Sequence, residues 1–179
     1  MQTWIALFRG INVGGNNILR MAELRSGLEA LGLKKVQSYI QSGNVVFESN
    51  ARSVPALSAK IVGMIEKGHG FRPQLLLLKR EDLLAAIESN PFPEAVSEPK
   101  TLHFAFLAKP AKNPDLKALD KAKAASETYR LTERVFYLHA PDGIGRSKLA
   151  ASVEKLLGVV ATGRNYRSVE KILAMASQG

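Results

Sequence analysis

One glycine-containing run carries side chains suited to holding an anion. It reads Asp-Gly-Ile-Gly-Arg-Ser-Lys over residues 142–148, between an apolar strand-like run and the start of a helical pattern. Its chemically important members are two glycines, two cations and a hydroxyl: Gly143, Gly145, Arg146, Lys148 and Ser147. A helix start presents unpaired N–H groups and a partial positive charge, which together attract anions. The run therefore predicts an anion-binding turn.

The same run matches neither of the two common nucleotide fingerprints. The pattern G-x-x-x-x-G-K-[ST] is absent because Ser147 precedes Lys148 and the glycine spacing differs. The dinucleotide pattern G-x-G-x-x-G fails because Lys148 stands at its third glycine position. A simpler interpretation stays open, in which the run is a capped turn whose cations are solvated.

A second polar segment, residues 162–168, is predicted to be a loop that could hold the same anion. Arg164 and Arg167 could each grip a phosphate or carboxylate through two donors, and Asn165 adds an amide. The alternative is that Asn165 caps the last helix and the arginines are solvated.

Two amide-rich loops, at residues 9–17 and 41–44, supply a further set of candidates. Amides suit the recognition of bases or peptide groups better than proton transfer. The residues that could contact the rest of a ligand are Arg9, Asn12, Gln41 and Asn44. Glycine and asparagine also build turns with left-handed backbone, which is the competing interpretation for most of these positions.

Several kinds of chemistry have no support in the sequence. The chain has no cysteine, which excludes thiolate zinc sites, iron–sulfur clusters and cysteine nucleophiles. Three histidines show no metal-ligand spacing, and His103 and His139 lie in apolar strands, where a hydrogen-bonded histidine is expected. The sequence shows no recognisable Ser/His/Asp catalytic triad. We therefore expect no metal site and no cofactor.

The formal net charge of +9 raises the expectation of an anionic partner, either a phosphate-bearing small molecule or nucleic acid. An inert basic surface would give the same charge. No apolar run approaches the roughly 20 residues of a membrane span, so no membrane partner is expected. The first residues show no signal-peptide pattern, and we expect a cytoplasmic protein.

The predicted elements repeat in two halves. Each half reads strand-helix-strand-strand-helix-strand and then a helix, which is the order of the split βαβ, ferredoxin-like unit. This predicts an α/β (α+β) fold of two ferredoxin-like βαββαβ halves, with mainly antiparallel sheets and helices packed on them. The halves are expected at residues 1–90 and 91–179 of one compact structural unit.

Strand directions in this unit decide which loops meet. They place residues 9–17 beside residues 41–44, and residues 142–148 beside residues 162–168. The polar loops are therefore expected in two pairs.

Finer predictions concern the ends of elements. Residues 159–161 are predicted to form a short strand, and Ser42-Gly43 a two-residue hairpin turn. Asn113 is predicted to cap a helix that has Pro114 at its first position. Gly68 and Gly70 are predicted to end the second helix.

Four runs in the chain resemble the signature runs of a known bacterial family. They are Phe-Arg-Gly-Ile-Asn-Val-Gly-Gly at residues 8–15, Tyr-Ile-Gln-Ser-Gly-Asn-Val at 39–45, Asp-Gly-Ile-Gly-Arg-Ser at 142–147, and Thr162 with Arg164-Asn165. The family is the uncharacterised domain-of-unknown-function family 1697. Gly163 and Tyr166 stand where its last run has Thr and Trp. The resemblance implies a two-part α/β fold with ferredoxin-like topology, and it brings no established activity or catalytic residues.

The favoured function is binding of a phosphate-bearing ligand, a nucleotide or nucleic acid, by glycine-rich loops at helix starts. One alternative is a metal-independent enzyme that acts on a small phosphorylated substrate and stabilises charge with Arg and Lys. Another is a protein-interaction module in which the glycines are purely structural.

Overall fold

Two four-stranded antiparallel sheets, each packed with helices, form the computed structural model, which describes residues 1–178. Contacts divide the chain into two units. The first holds Met1–Leu84 with the residues from Lys171 onward, and the second holds Ala85–Glu170. Within residues 1–178, every helix is too short or too polar to cross a membrane.

The first sheet has the ferredoxin-like strand order β2-β3-β1-β4. In chain order its elements are β1 (Gln2–Arg9), α1 (Met21–Ala30), β2 (Lys34–Tyr39), β3 (Asn44–Ser49), α2 (Val54–His69) and β4 (Gln74–Lys79), followed by α3 (Arg80–Glu88). The domain boundary expected from the sequence, after residue 90, lies just beyond α3.

The second sheet repeats this order as β6-β7-β5-β8. A 3₁₀ turn at Pro93–Ser97 precedes β5 (Leu102–Leu107), α4 (Leu116–Ala122), β6 (Thr128–Leu131), β7 (Val135–His139), α5 (Lys148–Leu157), β8 (Ala161–Asn165) and α6 (Tyr166–Ala176). The predicted fold class, with its two repeated halves, is confirmed.

The core of the first unit follows from the alternation of side chains along β1. Trp4, Ala6 and Phe8 point to the same face, where they pack with buried residues of α1 and α2 such as Leu28 and Ile61. Burying each large apolar side chain contributes about 1.5–3 kcal/mol. The sheet therefore fixes α1 and α2, and with them the turns at its two ends.

The core of the second unit forms in the same way on one face of β5 and β7. Leu107, Phe136 and Leu138 pack with Leu149 and Val153 of α5. The opposite face carries an aromatic cluster, in which the Phe104 ring lies 4.7 Å from the Tyr137 ring and 5.6 Å from the Tyr166 ring. The two faces of this sheet thus have distinct surroundings, one packed against α5 and the other holding the aromatic cluster.

The ends of α2 and α5 are set by a serine cap and a left-handed glycine. Ser53 caps α2 by accepting a hydrogen bond from the N–H of Ala56, and Gly70 ends that helix in the left-handed region at φ +77°. Ser147 caps α5 by accepting from the N–H of Ala150, and Gly158 ends it at φ +68°. These local signals position both helix starts.

Several predicted ends of elements were wrong. Asp115, not Asn113, caps α4, and its carboxylate accepts from the Ala118 N–H at 3.0 Å. A carboxylate satisfies the free N–H and also complements the helix dipole, so it outcompetes the amide. Gly68 lies inside α2, whose left-handed end comes at Gly70.

The hairpin and the last strand also differ from the prediction. The β2–β3 connection runs over residues 40–43, with positive φ at Ile40 (51°) and Gly43 (82°), so it is longer than a two-residue turn. The last strand is β8 at Ala161–Asn165, not residues 159–161, because its residues pair in register with β5. The segment predicted as a loop at residues 162–168 is therefore strand followed directly by helix.

Candidate anion-binding site

The turn before α5, residues 143–148, is compact and well hydrogen-bonded; we call it the anion turn. Gly143 lies at φ +82°, and its N–H donates to the carbonyl of Ala140 at 2.9 Å. The Ser147 N–H donates to the carbonyl of Ile144 at 3.1 Å. These bonds close the chain into a turn that ends at the first residue of α5.

Two backbone donors at the start of α5 remain unused. The Ser147 hydroxyl accepts from the Ala150 N–H at 3.0 Å, so that N–H is already paired. The Ala151 N–H donates to the Ser147 carbonyl at 3.2 Å. The N–H groups of Lys148 and Leu149 have no hydrogen-bond partner in the described part of the chain. They are the groups that a bound anion would accept from.

The charged side chains of the anion turn are open to solvent. Arg146 and Lys148 are exposed, and neither forms an ion pair with another residue among 1–178. The neighbouring carboxylate of Asp142 accepts a hydrogen bond from the Ser126 hydroxyl at 2.6 Å. Two cations and two free N–H groups therefore lie at one exposed helix start.

The register of β8 separates the two residues expected to complete this site. Arg164 pairs with Phe104, and Asn165 pairs with His103. Consecutive residues of a strand point to opposite faces, so Arg164 points to the aromatic side of the sheet and Asn165 to the side covered by α5. The strands β7 and β8 do end at the same end of the sheet, as expected. The Arg164 side chain, however, is not brought to the face on which α5 begins.

The local surroundings of Arg164 and Asn165 are already structured. Arg164 is partly buried, and desolvation lowers the pKa of its guanidinium to about 10, so it stays charged at neutral pH. Its Nη1 donates to the carbonyl of Gly163 at 2.9 Å. Asn165 Oδ1 accepts from the Ser168 N–H at 2.9 Å, so Asn165 caps α6. The alternative interpretation, in which Asn165 caps the last helix, is therefore the one that the structure shows.

The loop after β1 and the β2–β3 hairpin meet, and Asn12 joins them. Asn12 lies at φ +52°. Its Oδ1 accepts from the Leu19 N–H at 2.8 Å, and its Nδ2 donates to the carbonyls of Leu19 (2.9 Å) and Gln41 (3.0 Å). The amide is fully used in holding the loop, so Asn12 builds the turn.

The other three residues of this group differ in their surroundings. Asn44 is buried, and its Nδ2 donates to the Tyr39 carbonyl at 3.1 Å and to the Ser42 hydroxyl at 3.0 Å. Arg9 is partly buried and donates from Nη1 to Gln74 Oε1 at 3.3 Å. Of the four candidates in these loops, Gln41 has the exposed side chain.

His103 is a feature that sequence reasoning missed. The expected hydrogen bond is present at the Lys100 backbone, but the second ring nitrogen, Nε2, is buried and has no partner within residues 1–178. Burial lowers the pKa of His103, and a backbone hydrogen bond at Lys100 opposes this shift. His103 lies beside Asn165 on the α5 side of the sheet. A histidine in an apolar strand gives no sequence signal that distinguishes this state from a satisfied one.

The comparisons with known proteins identify the family. The model of the family "Protein of unknown function (DUF1697)" matches residues 1–137. The chain belongs to this family. The predicted family is thereby confirmed, and the runs at residues 8–15 and 39–45 lie within the matched part of the chain. Among solved structures, this DUF1697 chain is similar to the conserved bacterial protein SP0830 from Streptococcus pneumoniae, with 28% identity, a TM-score of 0.74 and 98% of each chain covered. No curated protein matches it.

Proposed function

We propose that this DUF1697 protein binds a phosphate-bearing ligand, a nucleotide or nucleic acid, at the anion turn. The observation that carries the proposal is the pair of unused N–H groups of Lys148 and Leu149 at the start of α5. They lie next to the exposed Arg146 and Lys148 side chains. Backbone donors at a helix start, reinforced by cations, suit an anion with several oxygens.

The positive charge of the anion turn favours a phosphate over a neutral ligand. A phosphate monoester carries about −1.5 to −2 charges and three acceptor oxygens at neutral pH. Such a group can accept from both N–H groups and face both cations at once. The net charge of +9 favours the approach of any polyanion from a distance. The proposal includes a cytoplasmic location, where these ligands are abundant and where proteins rarely rely on disulfides.

The test is a binding titration with three probes: inorganic phosphate, ATP and a short single-stranded DNA. The double variant Arg146→Gln/Lys148→Gln should weaken binding of the preferred probe at least about tenfold, since each lost charged contact costs about 1.5–3 kcal/mol. The matched control is Lys109→Gln/Lys155→Gln, which removes the same charge at two exposed positions outside the turn. It should leave affinity within a factor of about two.

Salt dependence separates the ligand classes. Binding of DNA should weaken steeply with salt, with a slope of about −0.7 per neutralised phosphate on a single strand. Binding of ATP should depend on salt far less. If neither the unfolding temperature nor a titration responds to any of the three probes, the proposal fails and an interaction module becomes the better hypothesis.

A further inference from the structure

A cavity of about 610 Å³ lies at one end of the first sheet, away from the loops after β1. It is formed where β1 begins, where β4 ends, and where the chain turns from β3 into α2. The residues that matter for its chemistry are Gln2, Trp4, Asn50, Arg52, Val54 and Lys79. Its volume falls in the range of small-molecule sites, about 300–1,000 Å³.

The charged groups lining this cavity are positive. Arg52 and Lys79 are both exposed, and neither forms an ion pair with any residue of the described chain. No carboxylate side chain lines the cavity. The side-chain amides of Gln2 and Asn50 add neutral donors. A cavity whose charged lining side chains are all positive favours an anion as its occupant.

The start of α2 adds a backbone donor to the wall. The Ser53 hydroxyl accepts from the Ala56 N–H, and Pro55 has no N–H to offer. The Val54 N–H has no hydrogen-bond partner among residues 1–178. One free donor and the positive end of the helix dipole therefore lie at Val54, which lines the cavity.

Trp4 provides an apolar surface with one unmet polar group. It is 1% exposed, and Lys79, its partner across the β1–β4 ladder, holds its Nζ 5.9 Å from the ring centroid. The indole Nε1 is buried without a hydrogen-bond partner in the described residues. Unpaired buried donors are rare in native proteins, so this N–H calls for a physical explanation. The Lys79 ammonium lies over this ring at the mouth of the cavity.

We infer that this cavity binds a small aromatic carboxylate. The carboxylate pairs with Arg52 and Lys79 beside the first turn of α2, and the aromatic body packs on the indole as the Lys79 ammonium turns from the ring to the ligand. Arginine suits a planar carboxylate because its guanidinium offers two parallel donors. The indole and the Val54 side chain supply the apolar contact that a phosphate or acetate ion would not use.

The chain offers a built-in reporter, because Trp4 is its single tryptophan. Benzoate titrated into the protein should change the tryptophan emission along a saturable curve. Benzamide has the same ring without the charge and should produce no saturable change. Acetate should bind at least about tenfold more weakly than benzoate, since it lacks the apolar area.

Charge-removing variants test the assignment of the two cations. Arg52→Gln and Lys79→Gln should each raise the dissociation constant for benzoate at least roughly tenfold. Lys67→Gln removes an exposed charge at the opposite end of α2 and should bind benzoate like the parent protein. Far-UV circular dichroism checks that all three variants are folded.

Three results would overturn the inference. They are a linear, non-saturating loss of emission that is equal in all variants, an equal response to benzamide, and tighter binding of inorganic phosphate than of benzoate. The variant Arg146→Gln/Lys148→Gln, which alters only the anion turn, should leave the benzoate response unchanged. Failure at one site is therefore distinguishable from failure at the other.

Discussion

The Asn12 side chain donates a hydrogen bond to the carbonyl oxygen of Gln41 at 3.0 Å, and this bond joins the loop after β1 to the β2–β3 hairpin. The same amide exchanges two further bonds with the backbone of Leu19. An amide used in this way replaces a missing peptide group, so the loop is held by a side chain as firmly as by secondary structure.

We expect Asn12→Ala to lower the free energy of unfolding by about 2–3 kcal/mol, since it removes three hydrogen bonds worth about 1 kcal/mol each. Asn12→Gly should cost less than Asn12→Ala, because glycine tolerates the φ of +52° at this position. Urea unfolding measures both. The control is Asn16→Ala, whose exposed side chain makes no hydrogen bond to another described residue. Equal stability of Asn12→Ala and Asn16→Ala would contradict the role assigned to Asn12.

The two roles of the α5 start can be separated at Ser147. Ser147→Ala removes the cap and should cost about 1 kcal/mol in stability. Ser147→Asp keeps a capping oxygen and adds a charge that suits the helix dipole, so stability should be retained. The added carboxylate repels phosphate, and ATP or DNA binding should fall at least about tenfold. Undiminished binding by the aspartate variant would place the ligand elsewhere.

Gly43 is required by both its backbone and its neighbours. It lies at φ +82°, and an added Cβ would come 2.7 Å from Phe8 Cβ and 2.8 Å from Ile11 Cδ1. Gly43→Ala should therefore destabilise the protein by about 2–4 kcal/mol.

Gly63→Ala is the matched control, because a Cβ there meets nothing within 4 Å and the residue lies inside α2. This change should stabilise by about 0.5–1 kcal/mol. Thermal unfolding should move the two variants in opposite directions, and a shared direction would disprove the prediction.

His103 makes stability depend on pH in a defined direction. Burial lowers its pKa below the ordinary value of 6.5, so the unfolded chain takes up a proton more readily than the native protein does. The free energy of unfolding should therefore fall as the pH drops below 6.5 and should level off once the pH is below the native pKa.

In His103→Gln this part of the slope should disappear, whatever the absolute stability of the variant. Urea unfolding between about pH 7 and pH 5 measures it. His69→Gln alters an exposed histidine and serves as the control. Parallel curves for the parent protein and His103→Gln would show that His103 does not carry the effect.

The order of the elements was predictable because local signals agree with one another. Short apolar runs marked most of the strands, and Ser53, Gly70 and Gly158 marked helix ends that the structure confirms. The resulting strand order placed the polar loops in two pairs. Each of these signals acts within a few residues of the chain.

The details of the site were not predictable from local signals. Gly163 and Asn165 are of types depleted in strands, yet both belong to β8 because they pair with β5. The alternation of that strand then directs Arg164 away from α5. The cavity at Trp4 depends on three segments that are far apart in sequence, and no motif announces it. Long-range pairing, rather than propensity, decided both features.

Trp4 Nε1 and His103 Nε2 are the two buried side-chain nitrogens without a partner in residues 1–178. Trp4 lies in β1 and His103 in β5, each on the face of its sheet that the helices cover. Each residue pairs with the last residue of the neighbouring strand, Trp4 with Lys79 of β4 and His103 with Asn165 of β8. Each lies near the end of its sheet at which the second helix of its half, α2 or α5, begins after a serine cap. The cavity and the anion turn thus occupy equivalent positions in two sheets of the same strand order, and a ligand found in one half identifies the place to search in the other.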